Sequence, residues 1–244
     1  IGSKAFIKDK KYWEEIMKNA GSPAALKECS SAAVSSVGRR KTFCLPDVLC
    51  HALTAFCGEM RVAPFVPVYM VLAVYLKRMK GAGRFCIGAP VHNRTTYTDR
   101  ETTGMFVSTL PFLNELDEEK SFHEFIAELS ETWLEMLRHQ RFPYEEIQKI
   151  ARKQNPSVDR LFDVVLSFQN SRVYENSDAS LHFSGQWHYA GHQAEQICIH
   201  LINIEDSRRY TIHYDYLTQV FSEKEIEALH HYLMNILSHA LAEP

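Results

Sequence analysis

The sequence lacks most of the short signatures that identify a site directly. It has no glycine-rich phosphate loop after a predicted strand, no Gly-x-Ser-x-Gly turn, no His-Glu-x-x-His helix and no Cys-x-x-Cys pair. These absences argue against a P-loop nucleotide-binding protein, an α/β-hydrolase and the commonest zinc sites. The six cysteines lie in apolar surroundings, which is typical of reduced thiols, so we expect a cytoplasmic protein.

Excess charge and long hydrophobic runs are also lacking. The formal net charge is -3, and no basic stripe indicates nucleic acid or an anionic membrane as a partner. The longest apolar stretch, Phe65 to Leu76, is too short to span a bilayer and contains Pro67. The chain opens in polar residues with neither an initiator methionine nor a signal peptide, so we expect a piece of a longer protein.

Helical and strand periodicities alternate along the chain. Helices are predicted at 8–19, 47–60, 64–80, 121–140, 144–151 and from Ser222 onward. Strands are predicted at 32–45, 84–91, 104–112, 161–169, 181–189, 196–205 and 209–217. The interleaving predicts an α/β fold, and the hairpin-like pairing near the end favours a mixed sheet covered by helices over a purely parallel one.

The most informative stretch runs from Arg84 to Leu113. Two apolar strands flank a polar, turn-rich loop from His92 to Thr103. Long polar loops after strand ends commonly carry binding and catalytic groups, although two core strands and an ordinary surface loop give the same pattern. The acidic segment that follows, Asn114 to Lys120, is interpreted as a solvated turn.

Two pairs of histidines could suggest a metal site or a catalytic pair, but the sequence around them supports neither. His188 and His192 flank a predicted turn instead of sharing a helix face, and no third ligand follows at a metal-binding spacing. His230 and His231 lie inside the last amphipathic helix, where no Asp-Gly follows as an acyltransferase motif requires. The sequence therefore predicts no metal site and no catalytic histidine pair within this chain.

Four motifs occur in an order that points to one family. Lys8 to Trp13 matches Lys-Asp-x-x-Tyr-Trp, and Gly88 to Arg94 matches Gly-x-Pro-x-x-x-Arg. Gly104 to Thr109 is similar to Gly-x-Phe-Val-Asn-Thr, and His139 to Glu145 is similar to His-Gln-Asp-x-Pro-Phe-Glu. Together they resemble the C-terminal half of a condensation domain from a nonribosomal peptide synthetase. A weaker match, 155–162, resembles a motif that ends in Pro-Leu-Phe.

Three positions depart from the family's pattern. Ser108 stands where the family has asparagine, and Arg141 and Tyr144 replace an aspartate and a phenylalanine of the His-Gln motif. Serine is shorter than asparagine and lacks its amide donor, so a substrate contact at position 108 is the least supported of the implied roles.

The resemblance implies a chloramphenicol acetyltransferase-like single lobe over residues 1–244, with 170–191 as a crossover segment toward a first lobe. That first lobe would hold the His-His-x-x-x-Asp-Gly motif, whose second histidine acts on the attacking amine. The implied reaction is acyl transfer: amide formation between aminoacyl or peptidyl thioesters held by two carrier proteins. The implied partners are donor and acceptor carriers, the first lobe and adjacent synthetase domains. No cofactor is expected to bind directly, only the carriers' phosphopantetheine arms.

Site roles follow from the same resemblance. Arg94 would pair with the aspartate of the upstream motif and so support the active site. A second group would line the substrate tunnel: Gly104, Phe106, Ser108 and Thr109. A third would fix the junction between two helices: His139, Gln140, Pro143 and Glu145. No catalytic residue is expected in this lobe, so the chain alone is expected to be inactive.

Two other functions remain open on the sequence alone. A two-lobed acyltransferase with a hydroxyl acceptor would share part of the motif set. The other is a carrier-docking or scaffolding module without catalysis, which the departures at Ser108 and Arg141 would favour if the upstream His-His motif were degenerate.

Overall fold

The fold is a mixed six-stranded sheet with helices, as the computed structural model of the chain shows. The structure describes residues 2–18, 25–27, 35–81, 83–117, 119–170, 187–203 and 209–242. The strand order is β1-β6-β5-β4-β2-β3. Strand β2 pairs antiparallel with β3 and parallel with β4, whereas β6 pairs antiparallel with β1 and β5. The predicted α/β class with a mixed sheet is confirmed.

The elements follow one another in an interleaved order. The helices are α1 (Lys4–Met17), α2 (Asp47–Met60), α3 (Phe65–Lys80), α4 (Tyr97–Glu101), α5 (Phe122–Arg138), α6 (Tyr144–Gln154) and α7 (Glu223–Ala242). The strands are β1 (Gly38–Cys44), β2 (Arg84–Val91), β3 (Ser108–Glu115), β4 (Val164–Gln169), β5 (Ile197–Ile202) and β6 (Thr211–Leu217).

The chain divides into two compact units, and the first comprises residues 1–26 and 73–165. Its β2–β3 hairpin pairs residues from Arg84 with Glu115 to Val91 with Ser108. Helix α5 starts at a capping box in which Ser121 and Glu124 bond each other's backbone, as the sequence predicts. The core of this unit is built from large side chains that are almost fully buried: Trp13, Phe85, Ile87, Leu110, Ile126 and Phe142.

The second unit comprises residues 27–72 and 166–244. Its strands β1, β6 and β5 form an antiparallel group, and its helices include α2 and α7. Alternate residues of β6, Ile212, Tyr214 and Tyr216, are buried, because successive side chains of a strand point to opposite faces. The other face of β6 therefore carries Thr211, His213 and Asp215.

The second strand of the hairpin, β3, begins four residues later than the predicted strand 104–112. Strand β3 begins at Ser108 instead of Gly104 and continues to Glu115, into the segment predicted as an acidic turn. Gly104 has φ +151°, and its carbonyl accepts a hydrogen bond from Arg94, so it does not pair with β2. Asn114 is buried in the strand, and its amide donates to the carbonyl oxygens of Phe85 and Phe112.

Several other boundaries differ from the prediction. Helix α1 begins earlier, where the Ser3 hydroxyl accepts from the amide of Phe6, and α6 extends to Gln154. The predicted loop 92–103 contains the short helix α4. The predicted strand 181–189 and crossover 170–191 lie mostly outside the described residues, and 187–189, which are described, are not in a strand. The predicted strand 32–45 is described only from position 35, and its strand portion is β1.

No single helix of the described chain is long and apolar enough to cross a membrane. Helices α2 and α3 pass that test only as a pair, and they meet at a bend of 106°.

The packing around Gly88 gives a test of the hairpin in the first unit. A Cβ at this position would lie 2.6 Å from ring carbons of Phe162 and 2.7 Å from Val165 Cγ2. We expect Gly88→Ala to lower the free energy of unfolding by about 1–3 kcal/mol, as overpacked cores do. Gly58→Ala is the control, because nothing lies within 4 Å of the added methyl group, and in helix α2 it should stabilise by roughly 0.5–1 kcal/mol. Equal effects of the two substitutions in urea unfolding would contradict this packing.

Candidate functional site

The loop between β2 and β3 is organised around Arg94. Its guanidinium donates to the carbonyl oxygen of Asp99, to that of Thr102 at 2.7 Å and to that of Gly104 at 2.9 Å. The same group lies 4.2 Å from the centre of the Phe106 ring, a distance at which cation and ring attract each other. Arg94 thus binds the backbone of its own loop at three points.

Asp99 is the second centre of this loop. Its Oδ2 accepts from the backbone amides of Thr95 at 3.1 Å and Thr96 at 2.9 Å, while the Thr96 hydroxyl accepts from the Asp99 amide. This reciprocal pattern is a capping box for α4. The hydrogen bonds from Thr96, supported by the charge of Arg141, lower the pKa of Asp99 to about 2, so the carboxylate is ionised at neutral pH.

The predicted tunnel residues lie at the end of this loop and the start of β3. Gly104 is exposed, Phe106 is half-buried under Arg94, and Ser108 and Thr109 are half-buried in register with Val91 and Pro90. Their neighbours Met105 and Val107 are 90% and 53% exposed. The structure therefore places Gly104 and Phe106 against Arg94, and Ser108 and Thr109 at the adjoining start of β3. Whether the four residues line a tunnel stays a prediction.

His139 lies where α5, α6 and α1 meet, and it is 2% exposed. Its Nδ1 is 2.7 Å from Asp9 Oδ1, its Nε2 is 3.4 Å from Glu135 Oε1, and its ring stacks on Tyr12 at 4.1 Å. The indole N–H of Trp13 donates to the His139 carbonyl oxygen at 3.2 Å. Two motifs that are 130 residues apart in the chain thus form one cluster.

The remaining motif residues shape the same junction. Gln140 donates its amide to the Leu137 carbonyl oxygen at 2.7 Å, where α5 ends. Pro143 precedes α6, and its carbonyl oxygen accepts from the amides of Glu146 and Ile147. Glu145 is exposed in the first turn of α6, where a negative charge favours the helix dipole. The hydrogen bonds of Gln140 and Pro143 are thus made to backbone groups at the ends of α5 and α6.

A polar network in the second unit was missed at the sequence level. Arg40 binds both carboxylate oxygens of Asp215, at 2.6 and 2.7 Å. His200 lies 3.1 Å from Asp215 through Nε2 and 2.6 Å from the Ser167 hydroxyl through Nδ1. Burial tends to raise the pKa of Asp215, but the hydrogen bonds from Arg40 and His200 outweigh it, and the net shift is downward. The available signal was the strict alternation of β6, which places Asp215 opposite the apolar face.

His230, the first histidine of the pair 230–231, packs against neighbouring aromatic residues. The His230 ring stacks on Phe43 at 3.9 Å, and its Nδ1 is 3.0 Å from the Tyr214 hydroxyl. Burial lowers the pKa of His230 to about 4. In the described part of the chain, no group of three or more His, Cys, Asp or Glu residues is arranged to hold a metal ion.

Comparison with protein families assigns the chain to a class. The family model of the condensation domain matches residues 1–244, and the chain therefore belongs to the condensation-domain family. Surfactin synthase subunit 1 of Bacillus subtilis (strain 168) is 30% identical over 242 residues, which cover 99% of this chain and 7% of that protein. Tyrocidine synthase 2 of Brevibacillus parabrevis is 24% identical over 250 residues, again 99% of this chain and 7% of the relative.

Solved structures support the same fold. The first condensation domain of the CDA synthetase superposes with a TM-score of 0.77 at 17% identity, covering 99% of this chain and 52% of that one. Holo-AB3403, a four-domain nonribosomal peptide synthetase bound to AMP and glycine, gives a TM-score of 0.81 at 18% identity, covering 97% of this chain and 19% of that one. The chain thus spans about half of the isolated condensation domain and a small part of the synthetases.

The His139 cluster predicts a stability effect at Asp9. A carboxylate only accepts hydrogen bonds, so Asp9→Ala leaves the buried Nδ1–H of His139 without its acceptor, and we expect a loss of about 1–3 kcal/mol. Glu14→Ala in the same helix is the control, because the pair that Glu14 forms with Lys10 at 3.7 Å is exposed. We expect it to change stability by less than about 0.5 kcal/mol. Urea unfolding measures both, and equal losses would refute the role assigned to Asp9.

Two half-buried histidines of the second unit predict a pH dependence. Burial lowers the pKa of both His213 and His230 to about 4, whereas an unfolded histidine titrates near 6.5. As the pH falls from 6.5 toward 4, the unfolded state binds the protons first, so stability falls by up to about 1.4 kcal/mol per pH unit for each group. His230→Gln should reduce this loss in unfolding measured at pH 7 and 5. The exposed His239→Gln in the same helix should not.

Proposed function

We propose that the chain is the C-terminal lobe of a condensation domain, one that forms amide bonds between carrier-bound aminoacyl or peptidyl thioesters. The observation that carries the proposal is the family match over the whole chain, combined with coverage of about half of an isolated condensation domain. The relatives are peptide synthetases, which supports amide formation over other acyl transfers.

In this proposal, the acceptor amine attacks the donor thioester carbonyl, the C–N bond forms, the C–S bond breaks, and the pantetheine thiol leaves with a proton. The base is supplied by the first lobe, so the present residues bind and orient. Ser108 and Thr109 are half-buried at the strand end. As successive residues of β3 they point to opposite faces, so one of the two hydroxyls can hydrogen-bond the amide groups of a pantetheine arm. The phosphopantetheine arms are part of the substrates in this reaction.

Arg94 acts through the shape of its loop. Its three carbonyl partners and Phe106 fix the segment that leads into Ser108. Several donors of this guanidinium are engaged within the loop, so its positioning of the loop does not depend on a partner carboxylate. A carboxylate of the first lobe, as the sequence resemblance implies, would add to these contacts or replace them.

The deciding experiment supplies loaded donor and acceptor carrier proteins and detects carrier-bound amide product by mass spectrometry. We expect product from the longer protein that includes a first lobe with His-His-x-x-x-Asp-Gly, and none from residues 1–244 alone. Product from the 244 residues alone would refute the two-lobe proposal. Hydroxyl acceptors, offered in parallel, should give no ester. A longer protein that binds carriers but forms neither bond would be a docking module.

The same assay tests Arg94. We expect Arg94→Ala in the longer protein to lower turnover by about tenfold or more, the effect of losing charge-assisted hydrogen bonds of roughly 1.5–3 kcal/mol. Arg100→Ala is the matched control, because Arg100 is exposed in the same loop and should leave turnover near that of the wild type. Equal turnover of the two variants would remove Arg94 from the site.

A further inference from the structure

Arg141 connects two regions that are remote in the chain. It lies in the junction between α5 and α6, and its guanidinium donates to Oδ2 of Asp99, 42 residues earlier. The Arg141 side chain is 51% exposed, whereas that of Asp99 is only 14% exposed. The pair is therefore an arginine that reaches from the surface onto a largely covered carboxylate.

The segment between α5 and α6 that carries Arg141 is held by buried residues on both sides of it. His139, two residues earlier, is buried and bonded to Asp9, and Phe142, the next residue, is 1% exposed and contacts the Phe6 ring at 5.0 Å. The backbone on both sides of Arg141 is thus held in the core of the first unit. The Arg141 side chain therefore binds Asp99 from a fixed backbone position.

Asp99 in turn is hydrogen-bonded to the backbone and to Arg94 within the loop. The same Oδ2 accepts from the amides of Thr95 and Thr96, and the Asp99 carbonyl oxygen accepts from Arg94. The loop therefore lies between two arginines. Arg94 holds its carbonyl groups from within, and Arg141 holds its carboxylate from the helix junction.

We propose that Arg141 is a positioning residue of the candidate site, which acts by fixing Asp99 and with it the loop that leads to Ser108 and Thr109. This inference rests on the proposed function for the role of those two hydroxyls. The link itself is electrostatic, between one cation and one ionised carboxylate. An acidic side chain at position 141 would face Asp99 with like charge and release the loop.

A double-mutant cycle on the 244-residue protein tests the link without any activity. Amide hydrogen exchange is measured at 96–104 in the wild type, Arg141→Gln, Asp99→Asn and the double variant. We expect Arg141→Gln to accelerate exchange about two- to fivefold, the range of one exposed ion pair. In the Asp99→Asn background the same change should have no further effect. Additive effects would overturn the proposal.

Three further measurements separate charge from packing. Arg141→Lys should restore most of the protection, and Arg141→Asp should accelerate exchange more than Arg141→Gln does. Raising the salt from about 0.05 to 0.5 M should accelerate exchange in the wild type and not in Arg141→Gln. Lys149→Gln is the matched control, since it removes a cation of α6 whose partner among the described residues is Glu146, at 2.6 Å. If Lys149→Gln accelerates loop exchange as much as Arg141→Gln does, the link is not specific.

The functional arm uses the longer protein and loaded carriers. We expect Arg141→Gln to lower kcat/KM by about two- to fivefold, and Arg141→Lys to recover it. Coupled exchange without any condensation by the wild type would refute the proposed function and leave the link standing. Condensation with unchanged kinetics in Arg141→Gln would refute the positioning role.

Discussion

The buried imidazole of His139 is the contact on which the arrangement of the candidate site depends. Both ring nitrogens face carboxylate oxygens, its ring stacks on Tyr12, and its carbonyl oxygen accepts from Trp13. A buried polar group without partners would be costly. Helix α1 supplies three of these partners, Asp9, Tyr12 and Trp13, and α5 supplies Glu135. The junction of α5 and α6 is thereby fixed relative to α1 within the first unit.

The contacts that connect the His139 junction to the Arg94 loop become less buried with distance from His139. The Asp9–His139 pair is covered, Asp99 is largely covered, and Arg141 is half-exposed. The strength of ionic contacts falls along the same series, because water and salt screen exposed charges. The loop that carries Arg94 is thus anchored at its far end by weaker contacts than the junction is.

Two of the three departures from the family's motifs, Arg141 and Ser108, have different physical consequences. Arg141 replaces an acidic residue and binds Asp99, so the change is matched by a partner in this structure. Ser108 replaces an amide with a shorter hydroxyl at the first position of β3. Its backbone position is held by the pairing of Val91 with Ser108, so the strand tolerates the change. What differs is only the reach of the side chain toward a ligand.

Much of the fold follows from the sequence alone, because local patterns determine it. The stripe of α5, its Ser121–Glu124 cap and the apolar strand Arg84–Val91 are each specified within a few residues, and these predictions are confirmed. Motif order likewise identified the family, which the match over 1–244 confirms. The roles of Arg94, Ser108 and Thr109 stay predictions, since they depend on groups outside this chain.

Only the tertiary structure decided which distant residues meet. No local pattern links Asp9 to His139, Asp99 to Arg141, or Arg40 to Asp215, because each pair is separated by 42 to 175 residues. The start of β3 was misplaced for the same reason: Gly104 to Val107 have strand-like composition, but Arg94 takes the Gly104 carbonyl. Propensity specifies what a segment can form, and competition for hydrogen bonds between remote groups determines what it does form.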